Sequence, residues 1–146
     1  MDATFLAADP ATLLVVALAL LDSSDRVLMQ RRPENRAQGG LWEFPGGKVE
    51  PCEGPAAALV REIAEELGIS IHESDVTPLT FAASQADGTT RPIVLLLYTC
   101  RNWQGEPVPE PGAAIGWYET EALGALAMPP LDVPLAAALH LFVKNP

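Results

Sequence analysis

Hydrophobic and polar positions along the chain alternate in short runs that are typical of strands. Residues 12–21 are rich in Val and Leu and end at an Asp-Ser-Ser-Asp turn, which predicts a buried strand. Arg26–Arg31 follows, and we expect it to be the hairpin partner of the first strand. A short strand is predicted at residues 41–44, and Pro45-Gly46-Gly47 is expected to end it. Further strands are predicted at residues 76–81, 93–100 and 115–118, with an Asp87-Gly88 turn between the runs 76–81 and 93–100.

Two segments have helical spacing instead. Pro55–Leu67 is predicted to be a helix because proline suits the first helical position and Gly68 suits the position just past the end. Its core face is expected to consist of Ala56, Val60, Ile63 and Leu67. Residues 134–143 predict a second helix, with Leu135, Leu139 and Phe142 on one side. The order of strands, helix, strands and helix favours a mixed α/β sandwich over a doubly wound fold.

Composition and charge limit the kind of protein and its partners. The chain has 146 residues, of which 49% are apolar, so we expect a single domain over residues 1–146 with its own core. The net charge of −10 argues against binding to nucleic acid polymers or anionic membranes. The longest apolar run, residues 13–21, is too short to cross a bilayer. Cys52 and Cys100 are interpreted as free thiols, and the predicted location is the cytoplasm.

The first predicted helix has a second, acidic face. Glu62, Glu65 and Glu66 stand at i, i+3 and i+4, so their carboxylates cluster. Like charges at this spacing repel each other, and the helix dipole disfavours anions in the last turn. A bound divalent cation would remove both penalties, and oxygen ligands suit Mg²⁺ or Mn²⁺. The alternative is an acidic face that is simply solvated.

Glycines and arginines accompany these carboxylates. Gly46-Gly47-Lys48 comes shortly before the helix, where glycines let backbone groups approach a phosphate or a metal and Lys48 adds a positive charge. The preceding loop region concentrates basic residues in a chain that has few, namely Arg31, Arg32 and Arg36. An acidic cluster beside a basic, glycine-rich loop is what metal-assisted hydrolysis of a phosphoanhydride requires.

The segment 47–69 resembles the Nudix box, GX5EX7REUXEEXGU, where U is apolar. Every defined position is matched: Gly47, Glu53, Arg61-Glu62-Ile63, Glu65-Glu66 and Gly68-Ile69. The resemblance implies an α/β/α sandwich with a central mixed sheet. It also implies hydrolysis of a nucleoside diphosphate that is linked to another group.

The same resemblance implies roles for individual residues. Glu62, Glu65 and Glu66 would hold the metal and help to activate water, with Glu66 and the Gly46 carbonyl as direct ligands. Either Glu62 or Glu66 would act as the general base. Arg61 would pair with Glu53 and orient the acidic cluster, unless it is an exposed surface cation.

Other stretches resemble the MutT branch of this family, the 8-oxo-dGTP diphosphatases. They are residues 28–32, 41–50, 103–107 and 129–134. The likeness implies that Asp132 reads the base, although Asp132 is also a candidate helix cap. Nucleotide contacts are implied for Arg32, Glu43, Phe44, Pro45 and Gly46, together with Lys48. Glu110 is a candidate extra metal ligand or, alternatively, a plain loop charge.

Asp132 stands where the family often has Asn. Neutral Asn can both donate and accept, as the edge of an 8-oxopurine requires, whereas ionised Asp only accepts. Asp132 would therefore have to be protonated to contact that edge with both oxygens, or ionised to accept from guanine N1–H and the exocyclic amine. Trp42 and Trp103 are expected in the core rather than against a base.

The sequence as a whole predicts a Mg²⁺-dependent nucleoside triphosphate pyrophosphohydrolase that releases a nucleoside monophosphate and pyrophosphate. The expected substrate is 8-oxo-dGTP, which would make the protein a sanitiser of the nucleotide pool that avoids mutation. One alternative is a broader Nudix hydrolase acting on CTP, dCTP or other modified nucleotides. The other is a nucleotide-sensing domain that has the box without turnover.

Overall fold

Two β-sheets and two helices make up the part of the chain that the computed structural model describes, residues 12–85, 88 and 90–146. Short 3-10 helices lie at Glu73–Asp75 and Thr120–Ala125. The helices are α1 (Pro55–Leu67) and α2 (Asp132–Lys144). The strands are β1 (Leu13–Leu20), β2 (Arg26–Arg31), β3 (Trp42–Glu43), β4 (Gly46–Lys48), β5 (Val76–Ala83), β6 (Ile93–Cys100) and β7 (Ala114–Glu119).

The larger sheet is mixed and the smaller one is antiparallel. The order in the first is β4-β1-β6-β5, with β1 and β6 parallel, and the order in the second is β3-β2-β7. The predicted hairpin of β1 with β2 is wrong, because both edges of β1 are taken by β4 and β6. The pairing next to the turn is limited to an isolated bridge between Leu21 and Val27, and β2 belongs to the second sheet.

The glycine pair forms a strand instead of ending one, which corrects the expected stop at residues 45–47. In β4, Gly46 pairs with Ala17 and Gly47 with Val16 of β1. A Cβ atom on Gly46 would overlap the carbonyl oxygen of Val16. Glycine is therefore what allows β4 to approach β1 so closely.

Alternation along β1 explains the sandwich. Val16, Leu18 and Leu20 belong to a buried cluster that contains the apolar face of α1. Residues 17, 19 and 21 belong to a second buried cluster, which contains Leu135 and Leu139 of α2. Because successive strand residues point to opposite faces, one strand supports a helix layer on each side. The predicted α/β/α sandwich with a mixed sheet is confirmed.

Helix α1 has the predicted limits, and Gly68 ends it with a left-handed φ of 69°. Its buried residues are Ala58, Leu59, Ile63 and Leu67, so the predicted core face was half right: Ala56 and Val60 are only partly buried. Helix α2 starts two residues earlier than predicted, and Phe142 is 37% exposed rather than part of the core. None of the described helices is long and apolar enough to cross a membrane. Asp87 of the predicted turn lies outside the described residues.

Candidate active site

A cavity of about 690 Å³ is bounded by residues of both sheets, the C-terminal turn of α1 and the start of α2. A volume in this range fits a small-molecule ligand. The cavity wall includes seven of the residues predicted for the site, namely Arg32, Glu43, Phe44, Gly46, Glu66, Glu110 and Asp132. It also includes Arg31 and Arg36, so the arginine-rich loop and the acidic helix end meet at one cavity.

Glu66 is the carboxylate of α1 that reaches the cavity wall. Its Oε2 atom accepts hydrogen bonds of 3.1 Å from the backbone N–H of Gly46 and of 3.1 Å from Nε2 of Gln30. Burial raises the pKa of Glu66 to about 8, although these two hydrogen bonds favour the charged form. The nearby carboxylates of Glu62 and Glu43 raise the pKa of Glu66 further.

Arg61 connects the acidic residues of α1 to the segment before it. Its Nε and Nη2 atoms donate to the two carboxylate oxygens of Glu53 at 2.8 and 2.9 Å. Its Nη1 atom donates to Glu62 at 3.0 Å, and Nη2 also donates to the carbonyl oxygen of Lys48 at 3.1 Å. The hydrogen bonds from Arg61 lower the pKa of Glu53 to about 2. Arg61 therefore links α1 to Glu53 and to β4, and it is not an isolated surface cation.

The three glutamates of the acidic face do not converge on one point. Glu65 has a side chain that is 58% exposed and lies 3.4 Å from Nη1 of Arg61. The carboxylate of Glu62 packs against Gly47, where a Cβ atom would overlap it, and burial raises the pKa of Glu62. Within residues 12–85, 88 and 90–146 no three His, Cys, Asp or Glu side chains are grouped as a metal site would require.

The donors nevertheless fit Mg²⁺ in its usual mode of binding. Mg²⁺ keeps several waters and is commonly held by one or two carboxylates together with the phosphates of a substrate. Glu62 and Glu66 are one helical turn apart, and both carboxylates lie against the Gly46-Gly47 strand. Two neighbouring carboxylates whose pKa values are raised by burial are an arrangement that a cation would stabilise.

A second acidic group lies in the cavity wall at the start of α2. Asp132 is 5% exposed, and its Oδ2 atom accepts a 3.1 Å hydrogen bond from the backbone N–H of Phe44. Burial raises the pKa of Asp132 to about 6. The helix-cap alternative is wrong, because Leu131 occupies the cap position and no side chain caps the helix. The carboxylate faces the β3–β4 connection instead.

Arg32 and Glu43 form an ion pair in the same wall, with 2.7 Å between Nε and Oε1. The Nη1 atom of Arg32 also donates to the carbonyl oxygen of Ala37 at 3.2 Å, which ties the arginine-rich loop to β3. The hydrogen bond with Glu43 raises the pKa of Arg32, so this guanidinium keeps its charge. A phosphate in the cavity would meet this charge together with those of Arg31 and Arg36.

Other predicted residues lie elsewhere. Pro45 and Lys48 are not in the cavity wall: the Pro45 carbonyl accepts the N–H of Leu18 at 2.8 Å, and the Lys48 side chain is exposed. Trp42 packs edge to face on Tyr118, and Trp103 stacks on Trp117, so both tryptophans belong to the packing as expected. Glu110 is part of the wall, where its role stays a prediction.

Sequence reasoning missed Gln30. Gln30 is 8% exposed, lies in β2 and donates to Glu66. The available signal was a single uncharged polar residue at the end of the apolar run 27–29, just before the two arginines. Such a residue is rarely buried without a hydrogen-bond partner.

The sandwich, the glycine strand and the acidic helix together define a mixed α/β protein with acidic and basic side chains around one cavity. The family model described as NUDIX domain matches residues 11–140, and the chain belongs to this family of hydrolases.

Named relatives agree with this assignment. The chain is 34% identical to a CTP pyrophosphohydrolase of Escherichia coli over 123 residues, which cover 84% of this chain and 88% of the relative. It is 37% identical to an 8-oxo-dGTP diphosphatase of Proteus vulgaris over 106 residues, which cover 72% and 90%. The solution structure of the E. coli ORF135 protein superposes with a TM-score of 0.79 at 32% identity, covering 94% of this chain and 95% of that one.

Proposed function

We propose that this Nudix hydrolase converts a nucleoside triphosphate into a nucleoside monophosphate and pyrophosphate with the help of Mg²⁺. The observation that carries the proposal is the spacing of two acids, the buried Asp132 and the partly buried Glu66, along one segment of backbone. The N–H of Phe44 binds Asp132, and the N–H of Gly46, two residues further on, binds Glu66. One short stretch of backbone therefore holds an acid for the nucleobase and, two residues further on, an acid for a phosphate-bound cation.

The residues of α1 and β4 supply the reacting end of the site. Glu62, Glu66 and the Gly46 carbonyl are the groups that would hold Mg²⁺, with Glu65 and Glu110 as further candidates. The bound ion would neutralise the triphosphate and lower the pKa of the attacking water. Glu62 or Glu66 would accept the proton of the attacking water as general base. Arg61 keeps Glu62 in place through the 3.0 Å hydrogen bond.

The arginines and Asp132 supply the binding end. Arg32, held by Glu43, supplies positive charge to a net-acidic protein that must attract a polyanion. Asp132 and Phe44 face the base. For 8-oxo-dGTP, a protonated Asp132 donates to O6 through one oxygen and accepts N7–H with the other. Its pKa of about 6 makes this form accessible near neutral pH.

Cytosine nucleotides are the second candidate substrates. The ionised form of Asp132 accepts a hydrogen bond from an exocyclic amine, which is how Asp and Glu contact cytosine N4. The relative named CTP pyrophosphohydrolase, at 34% identity over 84% of this chain, favours this candidate as well. The two substrates differ in the protonation state of Asp132 that they require.

Product analysis tests the proposal. The protein is incubated with Mg²⁺ and, separately, with 8-oxo-dGTP, dGTP, CTP, dCTP and ADP-ribose, and monophosphate and pyrophosphate are quantified. Pyrophosphate release with kcat/KM for 8-oxo-dGTP at least tenfold above dGTP, about 1.4 kcal/mol, supports the sanitation role. A higher value for CTP or dCTP supports the second candidate. Orthophosphate as the product, or turnover that survives chelation of metal, contradicts the proposal.

Glu66→Gln separates an enzyme from a sensor. In a hydrolase, this change removes a metal ligand or the base, so turnover falls by at least about a hundredfold. Glu121→Gln, at an exposed carboxylate of the 3-10 helix 120–125, is the matched control for the same loss of negative charge. Nucleotide binding without turnover in the unaltered protein, and equal binding in Glu66→Gln, would favour the sensing domain.

A further inference from the structure

The hydrogen bonds of Glu66 are unevenly divided between its two oxygens. Both donors, the N–H of Gly46 and Nε2 of Gln30, point at Oε2. Among the described residues no hydrogen bond reaches Oε1, and no fully buried side-chain N or O atom in that part of the chain lacks a partner. Oε1 therefore keeps some exposed surface, and Glu66 lines the cavity. The carboxylate is held by one oxygen and presents the other.

The two donors come from different sheets. Gly46 belongs to β4 of the mixed sheet, and Gln30 belongs to β2 of the antiparallel sheet, where it pairs with Glu43 and Ile115. A carboxylate that is held by a single hydrogen bond from the backbone can still rotate about this hydrogen bond. A second donor from a separate sheet removes this freedom, because the two bonds are anchored on independent strands.

We propose that Gln30 is a positioning residue that orients the Glu66 carboxylate so that Oε1 faces a divalent cation in the cavity. This inference rests on the proposed metal dependence. Gln30 has no need to touch substrate or metal: it acts through the 3.1 Å hydrogen bond to Glu66. Its amide is suited to this because it adds a donor without adding a charge to a wall that already contains Glu43, Glu66 and Asp132.

A purely structural role for Gln30 makes a different prediction. A partly buried hydrogen bond between β2 and α1 would add to stability wherever it was located. The distinction lies in metal affinity, because partners that orient a metal ligand typically contribute ten- to hundredfold. Mn²⁺ binding, followed by electron paramagnetic resonance of the free ion in the absence of nucleotide, measures this affinity without any turnover.

Gln30→Met keeps the length of the side chain and removes the donor. We expect its Mn²⁺ dissociation constant to rise about tenfold, with a parallel rise in the Mg²⁺ concentration for half-maximal activity. At saturating Mg²⁺ the KM for nucleotide should change less than threefold. Gln30→Asn keeps the amide on a side chain that is too short to reach Glu66, so it should have the same effect. It takes the place of Gln30→Met if Gln30→Met does not fold.

The matched control is Thr120→Val, which removes the 2.9 Å hydrogen bond between Oγ1 of Thr120 and His140, another partly buried side-chain bond. It should lower the melting temperature without changing Mn²⁺ affinity. In the background of Glu66→Gln, the Gln30→Met change should have no further effect on Mn²⁺ affinity.

The outcomes separate the two hypotheses. If Gln30→Met loses stability as Thr120→Val does but binds Mn²⁺ as the unaltered protein does, the positioning role is wrong and the proposed function stands. An additional loss of affinity in the Glu66→Gln background also overturns it, since Gln30 would then act independently of Glu66. If the unaltered protein itself binds no Mn²⁺ and needs no metal, the proposed function fails, and the positioning role fails with it.

Discussion

The carboxylate of Asp132 accepts a 3.1 Å hydrogen bond from the backbone N–H of Phe44, although 88 positions separate the two residues. Asp132 begins α2, and Phe44 connects β3 to the glycine strand β4. The bond joins a buried titratable group to the segment that carries the site. Because burial raises the pKa of Asp132 to about 6, its charge bears on both the stability of the fold and the choice of substrate.

Asp132→Asn is expected to stabilise the protein above about pH 6. The pKa of Asp132 is 3.8 for an unperturbed carboxyl and about 6 in the fold, so the folded state binds the proton more tightly. The cost of burying the charge is absent below about pH 4, grows between 4 and 6 and is complete above 6. At one pKa unit per about 1.4 kcal/mol, Asn should raise the free energy of unfolding by up to about 3 kcal/mol at neutral pH.

Denaturant unfolding of both proteins at about pH 4 and pH 7 measures this difference. Asn keeps an oxygen that accepts from Phe44, whereas Asp132→Ala loses it and should be less stable than Asp132→Asn at both pH values. A gap between Asp132→Asn and the unaltered protein that is the same at both pH values would contradict the raised pKa.

Lowering the pH should favour 8-oxo-dGTP as a substrate and disfavour CTP. Recognition of 8-oxoguanine by protonated Asp132 strengthens as pH falls through about 6, while recognition of cytosine by the ionised form weakens. The ratio of kcat/KM for 8-oxo-dGTP to that for CTP should therefore rise by up to tenfold for each pH unit below about 7. Groups that act on the phosphates cancel in this ratio.

The control for this experiment is Asp132→Asn, whose uncharged amide should make the ratio independent of pH. A flat ratio in the unaltered protein would mean that Asp132 does not discriminate the bases through its proton.

The local elements were predictable from the sequence because their signals are local. Helix α1 has the predicted limits since Pro55 and Gly68 mark its two ends. Strand β6 covers residues 93–100 as predicted. Pairing was not predictable, because the partner of β1 depends on which strands compete for its edges, and β4 and β6 occupy both. The glycines that suggested a stop are needed for the close β1–β4 contact instead.

The candidate site was predictable by residue type and not by geometry. Helical spacing placed Glu62, Glu65 and Glu66 on one face, but the ion pairs of Arg61 draw Glu62 and Glu65 towards that guanidinium. Only Glu66, one turn further along than Glu62, reaches the cavity. Gln30 escaped notice because its partner is 36 residues away, and no periodicity connects β2 with α1.

The two glycines of β4 should tolerate alanine very differently. A methyl group on Gly46 overlaps the backbone carbonyl of Val16, which cannot move without breaking the β1–β4 pairing. Gly46→Ala should therefore lower the free energy of unfolding by about 1–3 kcal/mol or prevent folding. The atoms nearest to a methyl group on Gly47 belong to the flexible end of Glu62, so Gly47→Ala should stay close to the unaltered stability and displace that carboxylate.

Thermal unfolding and steady-state kinetics together test this pair of variants. Gly47→Ala should lower kcat by about tenfold or more, since Glu62 is a proposed ligand or base. Gly54→Ala, where a Cβ atom meets nothing within 4 Å, is the control and should leave kcat unchanged. Full activity of Gly47→Ala would show that the position of the Glu62 carboxylate is irrelevant to turnover.

Arg61→Lys should impair turnover although the charge is kept. The guanidinium binds both oxygens of Glu53 and one oxygen of Glu62, and a single ammonium group cannot reproduce this fork. We expect kcat to fall at least about tenfold because Glu62 loses its orientation. Arg26→Lys is the matched control, as Arg26 forms a 2.9 Å ion pair with Asp22 in the turn between β1 and β2. It should keep full kcat.

The pH dependence of the melting temperature under acidic conditions gives a second measurement for Arg61→Lys. Arg61 lowers the pKa of Glu53 from 4.5 to about 2, so this pair stabilises the fold above pH 4.5, and the contribution is lost as pH falls through 2. In Arg61→Lys the melting temperature should depend less on pH between about 4.5 and 2 than it does in the unaltered protein. If the pH dependence of the melting temperature in this range is unchanged while kcat is reduced, Arg61 acts on Glu62 alone. If kcat is unchanged, Arg61 has no role in the site.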